Sequence, residues 1–248
     1  MDLNLKNKTV FITGASSGIG AAAAQIFSAE GADVVVSYGR NTSAAEGTAA
    51  KVRANGRNAW LCQMDVSNPA SVKAGVHSLP PDIHGLDALV LCAGLSLHTA
   101  FTEITPEEWQ RVLDVNLSGA FYVLQAITPL IRDGGSVVLV SSVSAQTGVA
   151  HQAHYAAAKA GLVNLSKSAA RLLAPRIRVN CVTPGLTLTP MGLETIAALE
   201  HDYAKNKMLL QRYATPEEIA QVIVFLASPL NSFMTGATID VNGGRDLR

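Results

Sequence analysis

Thr13-Gly14-Ala15-Ser16-Ser17-Gly18-Ile19-Gly20 joins a β-rich apolar run, Thr9–Thr13, to an Ala-rich segment, Gly20–Glu30. Glycine lets a backbone turn tightly and approach a ligand closely. The start of a helix presents unpaired N–H groups to a phosphate or pyrophosphate. The spacing is G-x-x-x-G-x-G, which on its own is weak evidence. What gives it weight is its place between a first strand and a first helix, where a phosphate loop has to sit. A glycine-rich turn serving only strand–helix packing is the plainer alternative.

The same alternation continues outward from this stretch. Strand-like runs fall at Asp33–Tyr38, Ala59–Met64, Ala88–Cys92, Ser136–Ser141, Arg178–Val182 and Thr238–Val241. Amphipathic or Ala-rich stretches lie between them, at Ser43–Asn55, Pro69–Ser78, Pro106–Ile131, Gln152–Leu173 and Pro216–Ala227. Thr105-Pro106-Glu107-Glu108 and Thr215-Pro216-Glu217-Glu218 both read as a cap, a proline at the first helical position and two acids. The strand runs are apolar without polar alternation, so they belong in a sheet covered on both faces. Regular strand–helix alternation makes that sheet parallel, with right-handed crossovers. No linker, composition shift or repeat divides the chain, so residues 1–248 read as one α/β doubly wound domain. Leu186 to about Arg212 is long for a connection in such a domain and reads either as a substrate-binding lid or as a peripheral helical insert.

Composition narrows the function. The chain has 248 residues, 48% of them apolar, enough for a full core without disulfide staples. Its 19 basic and 19 acidic side chains cancel, which removes the long-range field that favours nucleic acid or an anionic membrane. Cys62, Cys92 and Cys181 form no C-x-x-C and have no nearby His pair at zinc spacing, so no metal site is expected and they read as small buried residues. The N-terminus has no signal-peptide pattern, and no apolar run approaches the roughly 20 residues that cross a bilayer. A cytoplasmic protein is expected.

Tyr155 and Lys159 stand four apart in the Ala-rich segment Tyr155-Ala156-Ala157-Ala158-Lys159, so a helix projects both from one face. An ammonium beside a phenol favours phenolate and lowers the tyrosine pKa from about 10. That suits Tyr155 as the acid of a carbonyl reduction and as the base of the reverse reaction. The pair alone is common. Ser142, thirteen residues earlier at the end of a strand, adds a hydroxyl able to orient a carbonyl oxygen. His151 lies one helical turn before Tyr155 and reads either as a substrate contact or as a solvated helix-start residue; His154 reads as structural.

Thr13–Gly20 together with Tyr155–Lys159 resembles the short-chain dehydrogenase/reductase superfamily in its compact single-domain branch. The likeness runs from the first strand to Asp240-Val241-Asn242-Gly243-Gly244. It implies a Rossmann-type, seven-stranded parallel sheet in the order 3-2-1-4-5-6-7 that binds NAD or NADP at its carboxyl edge. It implies that Gly14, Ser16, Ser17, Gly18, Ile19 and Gly20 serve the pyrophosphate and that Asp65-Val66 contacts the adenine, although Asp65 also reads as a turn or cap residue. In the family's register the tip of the second strand is Tyr38, within Ser37-Tyr38-Gly39-Arg40. With no carboxylate at that tip and Arg40 two residues on, NADP(H) is favoured over NAD(H). Cys92-Ala93-Gly94 stands where the family carries Asn-Ala-Gly, which keeps backbone access and loses the Asn side-chain bonds. Pro184-Gly185 with Thr187 and Thr189 matches the segment that fixes the nicotinamide carboxamide, and Tyr155 and Lys159 adjoin its ribose. Asn116 completes the implied catalytic set of Asn116, Ser142, Tyr155 and Lys159 by holding a water that links the lysine to solvent; as a poor helix former inside a long helix, it also reads as a local kink.

The resemblance places the substrate pocket at Leu95, Ser144, Gln146, Gln152 and the 186–212 loop. The whole-chain pattern is most similar to 3-oxoacyl-[acyl-carrier-protein] reductases and related ketoreductases. An acidic carrier needs a basic patch, for which Arg132, Arg171, Arg176 and Arg178 are candidates, with solvated surface charge as the alternative. A polyol or sugar dehydrogenase is the rival within the superfamily. A non-catalytic NADP(H)-sensing regulator is the rival from another class. The stretches Pro106–Ile131 and Gln152–Leu173 are apolar on more than one face, and the family's equivalents build dimers of dimers, so a homotetramer is expected.

Overall fold

A computed structural model describes residues 2–247. Seven strands form one parallel sheet in the order β3-β2-β1-β4-β5-β6-β7. They are β1 (Thr9–Thr13), β2 (Asp33–Tyr38), β3 (Ala59–Gln63), β4 (Leu86–Leu91), β5 (Ile131–Val140), β6 (Arg178–Pro184) and β7 (Thr238–Val241). The helices are α1 (Gly18–Ala29), α2 (Thr42–Ala54), α3 (Pro69–His77), α4 (Pro106–Leu113), α5 (Gly119–Ile127), α6 (Ser144–Thr147), α7 (Ala153–Leu173), α8 (Pro190–Ala197), α9 (Tyr203–Lys207) and α10 (Pro216–Ala227).

Strand periodicity explains why the apolar runs are unbroken. Val10 and Ile12 of β1 face one way, with Val34 and Val36 of β2, into a core closed by α1, α2 and α10. Phe11 and Val35 face the other way, into a core closed by α3, α5 and α7. Successive side chains alternate between the two faces, so a sheet covered twice needs an apolar residue at every position. The phosphate loop is built at the same level. Gly14 has φ +66°, and a Cβ placed there would lie 2.8 Å from the Ala93 Cα.

Two of the expected elements differ in extent. The stretch 106–131 is not one helix. Asp114–Ser118 is a π-helical turn in which the Gly119 N–H reaches back to the Asp114 carbonyl. Asn116 drives this break, because its Nδ2 donates to the Val112 carbonyl and so occupies a ladder acceptor. Pro129 then closes the stretch in a 3₁₀ turn at Thr128–Leu130. Strand β5 begins at Ile131, five residues before the apolar run that signals it, with a register irregularity opposite Leu86 and Ala88. Its extra residues include Gly134 and Gly135, which carry no strand propensity of their own. The insert between β6 and α10 is partly helical: α8 and α9 both lie within 186–212.

The four arginines weighed as a carrier-docking patch gather at the amino edge of the sheet. Arg178 opens β6 and Arg132 lies at the start of β5, whereas the carboxyl ends of these strands lie at Val140 and Pro184. Arg171 is in the last turn of α7, which returns to that same amino edge. Arg132 pairs with Asp87 at 2.7 Å, Arg176 donates to the Ile131 carbonyl, and Arg178 donates to the Leu226 and Ser228 carbonyls. These cations tie the base of the sheet. Among the described residues, no helix is long and apolar enough to cross a membrane.

Candidate active site

One cavity of about 1140 Å³ runs along the carboxyl edge of the sheet. Gly14, Ser16, Ser17, Gly18 and Ile19 line it after β1, and Tyr38 and Arg40 after β2. Asp65 and Val66 follow β3, and Cys92, Ala93, Gly94 and Leu95 follow β4. Ser142, Ser144, Gln152, Tyr155 and Lys159 come from β5 through α7, and Pro184, Gly185, Thr187 and Thr189 follow β6. Gly20 and Asn116 lie behind the wall. A Cβ on Gly20 would sit 2.4 Å from the Gly14 carbonyl oxygen, so only glycine lets α1 begin against the loop.

These residues fit a dinucleotide. The N-cap of α1, Ser17, makes no side-chain hydrogen bond, so the first amides of the helix stay available to an anion. Gly18 has φ +53° and its Cα approaches Thr189, where a Cβ would meet Cγ2 at 3.1 Å. The insert therefore closes over the loop. Arg40 is exposed at the cavity rim, next to Asn41, whose side chain caps α2 by accepting from the Ala44 N–H. Asp65 accepts from the Ser67 N–H and hydroxyl, which is a turn role, while still lining the cavity. Asp33 lies at the opposite end of β2, paired to Arg57 at 3.0 Å.

Thr13 ties the end of β1 to the segment that follows β4. Its Oγ1 accepts from the N–H groups of Cys92 and Ala93 at 3.0 and 3.1 Å. Cys92 itself was expected to be buried. It is half-buried on the cavity wall because its side chain stands at the strand's open end. Burial of the thiol, opposed by Lys159, pushes it up to about 11, so it is not a thiolate at neutral pH.

At the other end, Lys159 is 4% exposed and donates to the Val140 carbonyl at 2.9 Å. The Ser142 hydroxyl hydrogen-bonds the Tyr155 phenol, and Ser144 donates its hydroxyl to Ser142 Oγ at 2.7 Å. Ser144 thus backs Ser142 as well as lining the cavity. Asn116 donates to the Leu95 carbonyl at 2.7 Å and accepts from the Leu95 N–H at 3.2 Å. A Cβ on Gly94 would lie 3.0 Å from Asn116 Oδ1 and 3.6 Å from Lys159 Nζ, so the glycine keeps a gap between the two.

The electrostatics depart from the expectation for Tyr155. Burial pushes its phenol up to about 12, with the Ser142 bond opposing, instead of down toward neutrality. Lys159 Nζ sits 5.5 Å from the ring centroid and is spent on a carbonyl, so it does not offset desolvation of the phenolate. Burial also lowers Lys159 itself to about 8. At neutral pH the tyrosine is a proton donor and the lysine a cation.

Several substrate-end expectations change. Gln146 does not line the cavity; its Nε2 donates to Asp240 of β7 at 2.9 Å. The Gln152 amide is turned to Ser96 and His98, both at 2.7 Å, and His98 also contacts Thr195 of α8 at 3.1 Å. His151 is exposed and absent from the lining, as in the solvated reading. Thr195 and Tyr203 line the cavity from the 186–212 loop, which was expected to reach it, whereas sequence reading missed Ser96 and Arg245, which tertiary folding brings in from two separate segments. Arg245 lies 3.5 Å from Asp246, so its charge is locally opposed.

Comparison with known proteins agrees over the whole length. The family described as enoyl-(acyl carrier protein) reductase matches residues 14–246. An L-rhamnose 1-dehydrogenase (NAD(P)(+)) from Sphingomonas sp. (strain SKA58) is 37% identical, over 97% of this chain and 96% of that protein. A 3-oxoacyl-[acyl-carrier-protein] reductase from Staphylococcus aureus (strain Mu50) is also 37% identical, over 96% and 97%. The structure of a glucose/ribitol dehydrogenase-type short-chain dehydrogenase/reductase from Brucella melitensis superposes with TM-score 0.94 at 35% identity, covering 100% of both chains. A short-chain dehydrogenase from Burkholderia cenocepacia J2315 in complex with NADP gives 0.91 at 32% identity, over 98% of this chain and 99% of that one. This chain belongs to the short-chain dehydrogenase/reductase superfamily and is an oxidoreductase acting on CH–OH or C=O groups.

Proposed function

We propose that the protein reduces a ketone to a secondary alcohol with NADP(H), its substrate being a 3-oxoacyl thioester carried on an acyl carrier protein or a related ketone. The observation that carries this reading is the hydrogen-bonded Ser142–Tyr155 pair facing the cavity, with Lys159 buried behind the ring. When bound, the nicotinamide supplies the hydride. Gly14 and Ser16–Gly20 hold the pyrophosphate, and Tyr38, Arg40, Asp65 and Val66 the adenosine end. Cys92–Gly94, Tyr155 and Lys159 hold the ribose, and Pro184, Gly185, Thr187 and Thr189 the carboxamide.

The chain's own groups manage the proton. Ser142 aligns the carbonyl oxygen, and Tyr155 transfers its phenol proton to that oxygen as it becomes the alcohol. Lys159 keeps a positive charge 5.5 Å from the ring centroid, which attracts the phenolate left behind without outweighing its desolvation. Asn116 holds Leu95 by two hydrogen bonds and so fixes the wall opposite Tyr155. Its side-chain oxygen and Lys159 Nζ both flank Gly94, which has no side chain to come between them.

The test is the initial rate of NADPH oxidation with an acetoacetyl thioester, with NADH in parallel. Fast turnover selective for NADPH is expected, and Arg40→Ala reduces that selectivity by weakening 2′-phosphate binding. Preference for NADH would overturn the cofactor assignment. A polar wall of Ser96, Ser144 and Thr195 favours a second reading, oxidation of a sugar or polyol, in line with the L-rhamnose relative. Turnover of such alcohols with no thioester reduction would select it. Binding of NADP(H) with no turnover on any carbonyl or alcohol would select the sensor. Oligomeric state is proposed as a homotetramer. Phe121 of α5 and Leu172 of α7 are exposed to 44% and 81%, which leaves apolar surface on both helices for a second subunit. A mass of four chains in solution is expected, and a monomer would contradict it.

A further inference from the structure

The catalytic helix α7 begins without an ordinary cap, because the side chain of its N-cap, Gln152, is turned away to Ser96 and His98. Its first amides therefore need other acceptors. The amide of Tyr155 finds one in the preceding residue: it donates to His154 Nδ1 at 2.9 Å. His154 is 0% exposed. With Nδ1 facing the Tyr155 amide, the other ring nitrogen, Nε2, lies 2.9 Å from Glu108 Oε1. Glu108 belongs to the first turn of α4, where its own amide is capped by Thr105. The Glu108 carboxylate also accepts from the Thr99 hydroxyl, and the Thr99 N–H donates to the His151 carbonyl just ahead of α7. One imidazole thus links the Tyr155 backbone to α4 and to the loop after β4.

We propose that His154 is a positioning residue of the reaction, holding the backbone of Tyr155 through Nδ1 and anchoring it through Nε2 to Glu108 while Ser142 holds the phenol. The inference rests on Tyr155 being the acid. Its side chain is bonded at one end by Ser142 and its main chain at the other by His154, so the phenol oxygen has a fixed origin and a fixed partner. Geometry of this kind matters because a misplacement of about 1 Å costs a reacting group about 10²-fold. A histidine that only filled space would have no need of two aligned bonds on its two ring nitrogens.

The two halves of the imidazole can be removed separately. Asparagine keeps an acceptor where Nδ1 stands and cannot reach Glu108. Glutamine reaches toward Glu108 and loses the acceptor. H154Q is expected to lower kcat by about 10- to 100-fold, with ketone KM and NADPH Kd within about twofold of native. H154N is expected to restore most of that loss, and E108A to lower kcat less than H154Q does. Hydrogen exchange over residues 153–157 is faster in H154Q than in the native chain or H154N. Native kcat and native exchange in H154Q would overturn the proposal, as would H154N no faster than H154Q at equal melting temperature. No turnover by the native chain on any carbonyl would overturn the reductase reading instead, and the exchange measurement would still decide whether His154 holds the Tyr155 amide.

Discussion

Tyr155→Phe is expected to slow ketone reduction by about 10²–10⁴-fold, the usual worth of a positioned general acid, while NADPH binds within a few-fold of native. Phenylalanine keeps the ring beneath which Lys159 lies, 5.5 Å from its centroid, so the cavity wall and the cofactor end are unchanged. Only the proton and its bond to Ser142 are removed. Initial rates and a fluorescence titration with NADPH separate the two effects, and near-native turnover would take Tyr155 out of the acid role. The pH profile follows from the same residues. Reduction needs the Tyr155 proton, which a phenol pushed up to about 12 retains through the neutral range. It also needs the charge on Lys159, whose proton burial loosens to about pH 8. The rate of reduction is therefore expected to be level below about pH 8 and to fall as pH rises through it. The reverse oxidation needs the phenolate, so it rises with pH. A reduction rate that climbs with pH would contradict both assignments.

Gly20→Ala sets two effects of opposite sign against each other. Alanine stabilises a helix interior by up to ~1 kcal/mol relative to glycine, so propensity alone predicts a gain. The added Cβ, however, would lie 2.4 Å from the Gly14 carbonyl oxygen, a backbone atom that cannot rotate away. Overpacking of this kind costs ~1–3 kcal/mol, and a backbone obstacle puts it at the upper end. The net expectation is a loss of about 1–2 kcal/mol, or roughly 2–8 °C in melting temperature for a chain of this size. The same push moves the α1 amides away from the phosphate loop, so NADPH affinity is expected to fall at least tenfold. Thermal melts with and without NADPH measure both, and a higher melting temperature with unchanged affinity would refute the close approach.

The parts of the site that could be read along the chain are those built by neighbours. The loop Thr13–Gly20 is one turn between one strand and one helix, and Tyr155 and Lys159 share one helical face. The helix starts at Pro106 and Pro216 were legible because caps act within four residues, and Thr215 with Glu218 forms the reciprocal capping box. At Asp114–Ser118 a local kink was legible from Asn116 inside a long helix, but its π-helical form was not, because it involves Asn116 bonding to Val112 and to Leu95, twenty-one positions away. Gln146 shows the same limit. Its position near Ser144 pointed to the cavity, and a carboxylate on β7 drew it elsewhere.

Sequence by itself determined the doubly wound sheet, its phosphate loop and the helix carrying Tyr155 and Lys159, since strand burial, turn chemistry and helical spacing are local patterns. Tertiary structure alone decided the proton states and the partners of these groups. Burial, a property of every surrounding element at once, moved Tyr155 up and Lys159 down. Packing of α4 against the start of α7 placed Glu108 on His154, forty-six residues apart. Such contacts join residues whose separation along the chain carries no period, so only the closed fold brings them within hydrogen-bonding reach.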